Sequence, residues 1–316
     1  MQKASIALIM FSLILSADVV DSLKKVSLAN VNALIILTTQ DMLTTGRYDL
    51  ENASLRVINF PLYYHFEPLF SHFNLFVNGS AGLSELKGTS IVNNTRVNDT
   101  YSYDTLALRL GGGVRYVSNS DINILVGFNA IYSRIDNTYN YNSKVSEDKY
   151  KPLFDRAFAN QESNAYTYES FWQVGYMPNW HNWKPYVVLT VTYFDTKQNL
   201  SIEELTTFNS TSGGSRTKIG FETPQFFHFL ETDLSTEFFV AGNAFVGDVR
   251  DTLGFDGYGS AAAMMHLYIK REFYGAVDEA LYEVPSILNR IDFLVERVSG
   301  VGIEGYNVGF SAGFTF

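Results

Sequence analysis

The 316-residue chain has no cysteine, which removes disulfides, thiolate metal sites and cysteine nucleophiles together. It has only 3 Trp and 7 Pro. Basic residues are in deficit, 23 Lys+Arg against 33 Asp+Glu, for a formal charge of −10. With no basic surplus to displace counterions from phosphate, a nucleic-acid-binding surface is excluded. Long hydrophobic runs are missing too. The longest, Ile6 to Leu15, is about half of what a bilayer-spanning helix requires. A second run, Ala33 to Leu37, is shorter still. If the chain enters a membrane, it must do so as strands.

What is abundant is aromatic and small: 20 Tyr, 25 Phe and 23 Gly, with mean hydropathy close to zero. In bulk numbers this is the composition of an alternating-strand barrel in lipid. Residues 1–17 read as a secretory signal peptide: Lys3, the apolar run, then Ser16 and Ala17 at the cleavage point. Residues 18–29 form an N-terminal segment, with the barrel lumen as one place for it. Residues 30–316 form the barrel domain.

Period two runs through the rest. At the C-terminus Tyr306, Val308, Phe310, Ala312, Phe314 and Phe316 share one oily face, and Asn307, Gly309, Ser311, Gly313 and Thr315 share a wet one. The same alternation fills Phe73–Ser84, Leu106–Tyr116 and Ile122–Tyr132. Further runs start near Leu55, Asn164, Lys184, Thr217, Ser235, Phe255 and Leu288, the last with the poorest alternation. These runs are longer than soluble strands and long enough to cross a bilayer at a tilt. Several oily faces end in an aromatic, at Tyr63, Phe66, Phe73, Tyr116, Tyr132, Tyr176, Tyr193 and Phe316, where interfacial girdles sit.

Connections alternate short and long, as in outer-membrane barrels. The longest, within 138–162, is polar and is expected to hold a short helix. Residues 272–287 read as a helical turn on the short side. Strand candidates after residue 54 come out odd in number, and Asn30–Thr39 supplies a first strand. The expected fold is an all-β, up-and-down antiparallel transmembrane barrel of about twelve strands, or about ten if weak candidates merge.

The inward face is largely Gly, Ser, Thr and Asn, with Arg109, Arg115 and Glu169 as a charge network or pore lining. Gly111, Gly112 and Gly113 offer a flat patch for a bulge or for an element entering the lumen. For chemistry the sequence offers little. The histidines are His65, His72, His181, His228 and His266, with no HExxH and no GxSxG. Asp248, Asp251 and Asp256 are rim acids without a histidine nearby in sequence. Glu147, Asp148 and Asp155 lack EF-hand spacing. The N-x-S/T matches at Asn52, Asn78, Asn93, Asn98, Asn199 and Asn209 are ordinary for an Asn-rich chain. The reading is no enzyme, no catalytic residue, no metal and no cofactor.

The terminal YNVGFSAGFTF resembles the signal that barrel-assembly machinery reads in Gram-negative outer-membrane proteins, and Tyr306 to Phe316 carry it. The whole layout is similar to the solitary outer-membrane autotransporter-like barrel family. That resemblance implies a translocator-type barrel without a passenger, acting as a narrow porin-like pore or a structural surface protein of the cell outer membrane. The implied partners are outer-membrane lipid and lipopolysaccharide, with the assembly machinery during biogenesis. A monomer is expected. Alternatives are a barrel enzyme acting on lipid or peptide at the outer rim, and an adhesin built on the 138–162 loop.

Overall fold

The computed structural model describes residues 43–50, 53–66, 72–90, 98–118, 120–157, 159–200, 208–229, 232–253, 255–269 and 287–315. In chain order these form β1 (Leu43–Leu50), β2 (Ala53–His65), β3 (Phe73–Ser90), β4 (Asp99–Val117), β5 (Ile122–Asn140), α1 (Lys144–Ala157), β6 (Gln161–Tyr176) and β7 (Lys184–Leu200). There follow β8 (Phe208–Glu222), β9 (Phe227–Phe229), β10 (Thr232–Gly247), α2 (Asp248–Leu253), β11 (Gly257–Ile269), β12 (Ile287–Gly300) and β13 (Ile303–Thr315). No helix among the described residues is long and apolar enough to cross a membrane.

Every pairing is antiparallel, and the order closes on itself. β1 pairs with both β2 and β13, and β10 pairs with β11. β9 pairs with the start of β10 on the side where β8 pairs with its remainder, so β9 continues β8 past Pro224. Pro224 has no amide hydrogen to give the ladder, and the interruption falls there. The described residues thus form a closed all-β barrel of twelve strands. The first described ring strand is Leu43–Leu50, a strand not expected from the sequence; the expected strand at Asn30–Thr39 lies outside the described residues, as do 1–29 and the expected helical turn at 272–286. Leu288–Val298, poor in alternation, is a full ring strand within β12.

The oily faces point outward. Leu110 is 72 % exposed, and Phe60, Phe128, Trp172, Val240 and Val295 are exposed likewise. Such an apolar exterior belongs in lipid rather than water. Tyr306, Val308 and Phe310 lie on this face. Nothing is described of the side chains of Ala312 and Phe314, and Phe316 lies outside the described residues. Aromatics gather at the short-turn end, where Tyr64 meets Phe66 at 4.9 Å, Phe73 meets Tyr116 at 5.0 Å and Trp183 meets Phe221 at 5.6 Å between ring centroids. Tyr63, expected there, instead turns inward and stacks on Phe76 at 5.2 Å. The β6–β7 turn shows why this end stays short. His181 (φ 51°) and Asn182 (φ 68°) both take left-handed backbone between the paired Trp180 and Trp183, the requirement of a two-residue hairpin turn.

At the long-loop end the chemistry of the two faces exchanges. On β5, Ile122, Val126 and Phe128 point out near the short turns, but Arg134, Asp136 and Thr138 point out farther along, while Ile131, Ile135 and Tyr139 are buried inside. β3 and β4 do the same, with Glu85 and Asp104 outside and Leu86 and Tyr103 inside. The result is an apolar collar of buried side chains, including Tyr48, Leu55, Leu86, Tyr103, Ile135, Phe245, Val249 of α2, Phe255, Val298 and Ile303. The strands here stand clear of lipid and fold as water-soluble sheet does, oily side inward.

Candidate functional site: the lumen

Inside the barrel, below the collar, polar side chains line the wall in three groups. The first contains the expected residues. Glu169 of β6 lies directly opposite Asn129 of β5, with Arg109 on β4. The Arg109 guanidinium comes within 3.0 Å of Glu169, and Asn129 Nδ2 donates to the same carboxylate at 2.7 Å. The side chains of Arg109 and Glu169 are only 8 % and 4 % exposed. Arg115 does not join them. It sits six residues nearer the short-turn end and donates from Nε to Asn123 Oδ1 at 3.0 Å. One strand places both arginines inward, but the rise per residue sets them too far apart to share one carboxylate.

The second group was not anticipated. Glu222 of β8 and Glu237 of β10 are directly opposite each other on the lumen face, a like-charge pairing that destabilises a sheet unless cations and donors answer it. They are answered in full. Lys218 Nζ reaches Glu237 Oε1 at 2.6 Å, and the Tyr186 hydroxyl donates to the same oxygen. Lys184 Nζ reaches Glu222 Oε2 at 3.0 Å, while Ser235 and Tyr268 donate to its other oxygen, each at 2.8 Å. His266, 1 % exposed, lies between two carboxylates, with Nδ1 2.7 Å from Asp292 and Nε2 3.1 Å from Glu237. Asp292 also accepts from Arg290 at 2.5 Å and Ser311 at 2.6 Å. The network ties six strands, β7, β8 and β10 to β13. Its sequence signal is weak, because each strand supplies only one or two members and the partners are set by register.

The third group crosses part of the lumen. Arg216 of β8 pairs with Glu296 of β12 at 3.0 Å, Asn307 donates to Glu296 at 3.0 Å, and the Tyr48 hydroxyl donates to Asn307 at 2.6 Å.

Opposite the charged wall lies an aromatic one. The glycines expected to leave an open patch are covered. A Cβ at Gly113 would stand 2.9 Å from the Phe76 ring, and one at Gly127 would stand 2.5 Å from the Phe171 ring. Phe76 and Phe171, both inward, have centroids 6.1 Å apart. The glycines therefore make room for two phenylalanines, the pairing by which aromatic side chains cover glycine in barrels.

The histidines offer no arrangement for nucleophilic catalysis in the described geometry. Both His266 nitrogens are engaged by carboxylates, and Ser235, its cross-strand partner, gives its hydroxyl to Glu222. His72 Nδ1 faces the Val117 carbonyl at 3.0 Å, and the His181 ring lies edge-on to Trp180. Of the rim acids, Asp248 accepts from the Thr211 amide and Asp256 pairs with Arg250. The side chains of His228 and Asp251 lie outside the described set.

A closed twelve-strand barrel with an apolar exterior and charge-paired interior matches one family by sequence. The solitary outer membrane autotransporter beta-barrel domain matches residues 29–273. The chain belongs to this family. It is an outer-membrane β-barrel, a class in which short turns are periplasmic and long loops extracellular. Solved structures agree on the fold. The β domain of the Bordetella autotransporter BrkA is similar over 84 % of this chain and 95 % of its own, at 12 % identity and TM-score 0.51. The transport unit of AIDA-I from Escherichia coli is similar over 92 % and 99 %, at 11 % identity and TM-score 0.50. No curated protein matches the sequence.

At the extracellular rim the long 138–162 connection contains the expected helix, α1. Ser143 caps it, accepting from the Ser146 amide at 3.0 Å. The buried Asp99 of β4 then holds the loop down. It accepts from the Asn142 amide at 2.8 Å, from the Tyr139 hydroxyl at 3.1 Å and from the Ser146 hydroxyl. Burial, with Asp155 beside it, raises the Tyr141 hydroxyl pKa above its ordinary value. Between α1 and the β4–β5 edge lies a polar hollow of about 410 Å³, lined among others by Thr100, Tyr139, Asn142, Glu147 and Lys151.

Proposed function

We propose that this protein stands in the outer membrane as a surface barrel closed at its extracellular mouth, rather than as an open diffusion pore. The collar carries this reading. Its inward side chains, from nine ring strands and α2, are buried, whereas side chains around an open mouth would be wet. The lumen beneath supports it, because the buried Arg109–Glu169 pair and the buried His266 between Asp292 and Glu237 are held by their partners rather than presented to a passing solute. A second reading rests on α1. A loop pinned through Asp99 and bordering a polar hollow suits recognition of a partner at the cell surface.

The test is ion conductance of the refolded chain in planar bilayers. The expected result is little sustained current from the native protein and a clear rise when Leu86 and Ile135 are both changed to Ser, which wets the collar. Large ohmic current from the native protein would overturn the reading.

A further inference from the structure

The outer wall carries an unusual strip where β12, β13, β1 and β2 leave the apolar band. Arg297 is directly opposite Tyr306, Tyr306 opposite Arg47, and Arg47 opposite Arg56. All four side chains face outward and are exposed. Two arginines directly opposite each other repel at a cross-strand spacing of roughly 5 Å. The third lies two strands away, across the ring of Tyr306. Below the strip are Val308, Val295 and Ile58, so Tyr306 marks the upper edge of the lipid-facing surface.

Acids nearby answer this charge only in part. Arg47 Nε is 3.4 Å from Asp49, and Arg56 is 4.0 Å from Glu85, whose other oxygen is taken by Lys87. One row nearer the hairpin tips, Asp49 and Glu304 stand opposite each other. The rung continues past Arg56 into Glu85 and then Asp104, so the four cations Arg47, Arg56, Lys87 and Arg297 meet four carboxylates, but the three arginines hold one end of it, on β12, β1 and β2, and form the row closest to the lipid boundary.

We propose that Arg47, Arg56 and Arg297 bind the phosphate of an outer-leaflet lipid headgroup. Guanidinium forks match phosphate oxygens two at a time, and their stems lie along apolar surface while their heads reach the interface. The phosphate relieves the Arg47–Arg56 repulsion, its acyl chains cover Val308 and Ile58, and Tyr306 sits at headgroup level. An apolar wall below and a cationic row at its edge select an amphiphile over a free anion.

The test is native mass spectrometry of the full chain refolded in micelles, titrated with bis-phosphorylated lipid A and with the same lipid lacking both phosphates. Each cation at a charged membrane surface contributes about fivefold in affinity. The R47Q/R56Q/R297Q variant is therefore expected to bind the phosphorylated lipid at least tenfold more weakly than native protein. An Arg134→Gln/Lys197→Gln control on the far wall is expected to bind as native. Dephosphorylated lipid is expected to bind native protein weakly. The proposal is overturned by equal binding of both lipids, by unchanged affinity in the triple variant, by equal loss in the control, or by inorganic phosphate competing at the concentration of the lipid. If the triple variant fails to give the fast-migrating unboiled band, R56Q and R297Q singly are each expected to lose about fivefold, and no loss in either overturns the proposal.

Discussion

Removing Glu169 tests whether the lumen wall is shielded from water or merely polar. The change to Ala leaves the Arg109 guanidinium, 8 % exposed as a side chain, without its carboxylate 3.0 Å away, and leaves the Asn129 amide without its acceptor. An uncompensated buried charge costs about 3–5 kcal/mol. At about 1.4 kcal/mol per decade, the folding equilibrium falls by two to three and a half decades. Replacing both partners, as in Arg109→Met/Glu169→Leu, removes the charges together and is expected to cost much less than Glu169→Ala alone, since buried pairs exchanged for apolar side chains are often near neutral. The assay is urea unfolding in micelles, read by the ratio of compact unboiled to expanded boiled forms on gels, as a double-mutant cycle. Arg115→Met is the comparison, because Arg115 bonds an amide rather than a carboxylate. A cost for Glu169→Ala below about 1 kcal/mol, the range of exposed pairs, would refute the reasoning and place water around the pair.

Two further outcomes follow from single contacts. Asp99→Ala removes three hydrogen bonds that hold the loop and α1 down, so external trypsin is expected to cut at Lys144, Lys149 or Arg156 in intact cells at least several times faster, with unboiled migration of the barrel unchanged. Equal cleavage of both proteins would refute the pinning role. Gly127→Ala pushes a methyl to within 2.5 Å of the Phe171 ring and 2.8 Å of the Gly112 carbonyl, an overpacking expected to destabilise by about 1–3 kcal/mol. Phe171→Leu in the same chain is expected to restore part of that loss in the thermal midpoint, and no restoration would mean the backbone contact governs.

The two walls of the lumen are built differently. Along β3 to β6, phenylalanines lie over glycines, while along β7 to β13 carboxylates, a histidine, lysines and tyrosines satisfy one another. The collar lines the end that stands outside the lipid.

The alternation of oily and wet residues determined the barrel and its membrane, because a period of two in runs of bilayer length leaves no other way to bury the oily faces, while the strand count rested on the need for an even number. It also determined that Arg109 and Glu169 point inward. It failed where the environment outside the strand changes. Phe73–Ser84, Leu106–Tyr116 and Ile122–Tyr132 are the lipid-crossing parts of strands that run on to Ser90, back to Asp99 and on to Asn140, and beyond the lipid the same alternation means the opposite faces. Leu43–Leu50 was missed for the same reason, since Thr45, Arg47 and Asp49 on its outer face look nothing like lipid-facing residues. Only the tertiary structure decided which charges meet. Register across the closing strands sets Glu222 against Glu237, His266 beside Asp292 and Arg47 against Arg56, and no local pattern encodes a distance between strands far apart in the chain.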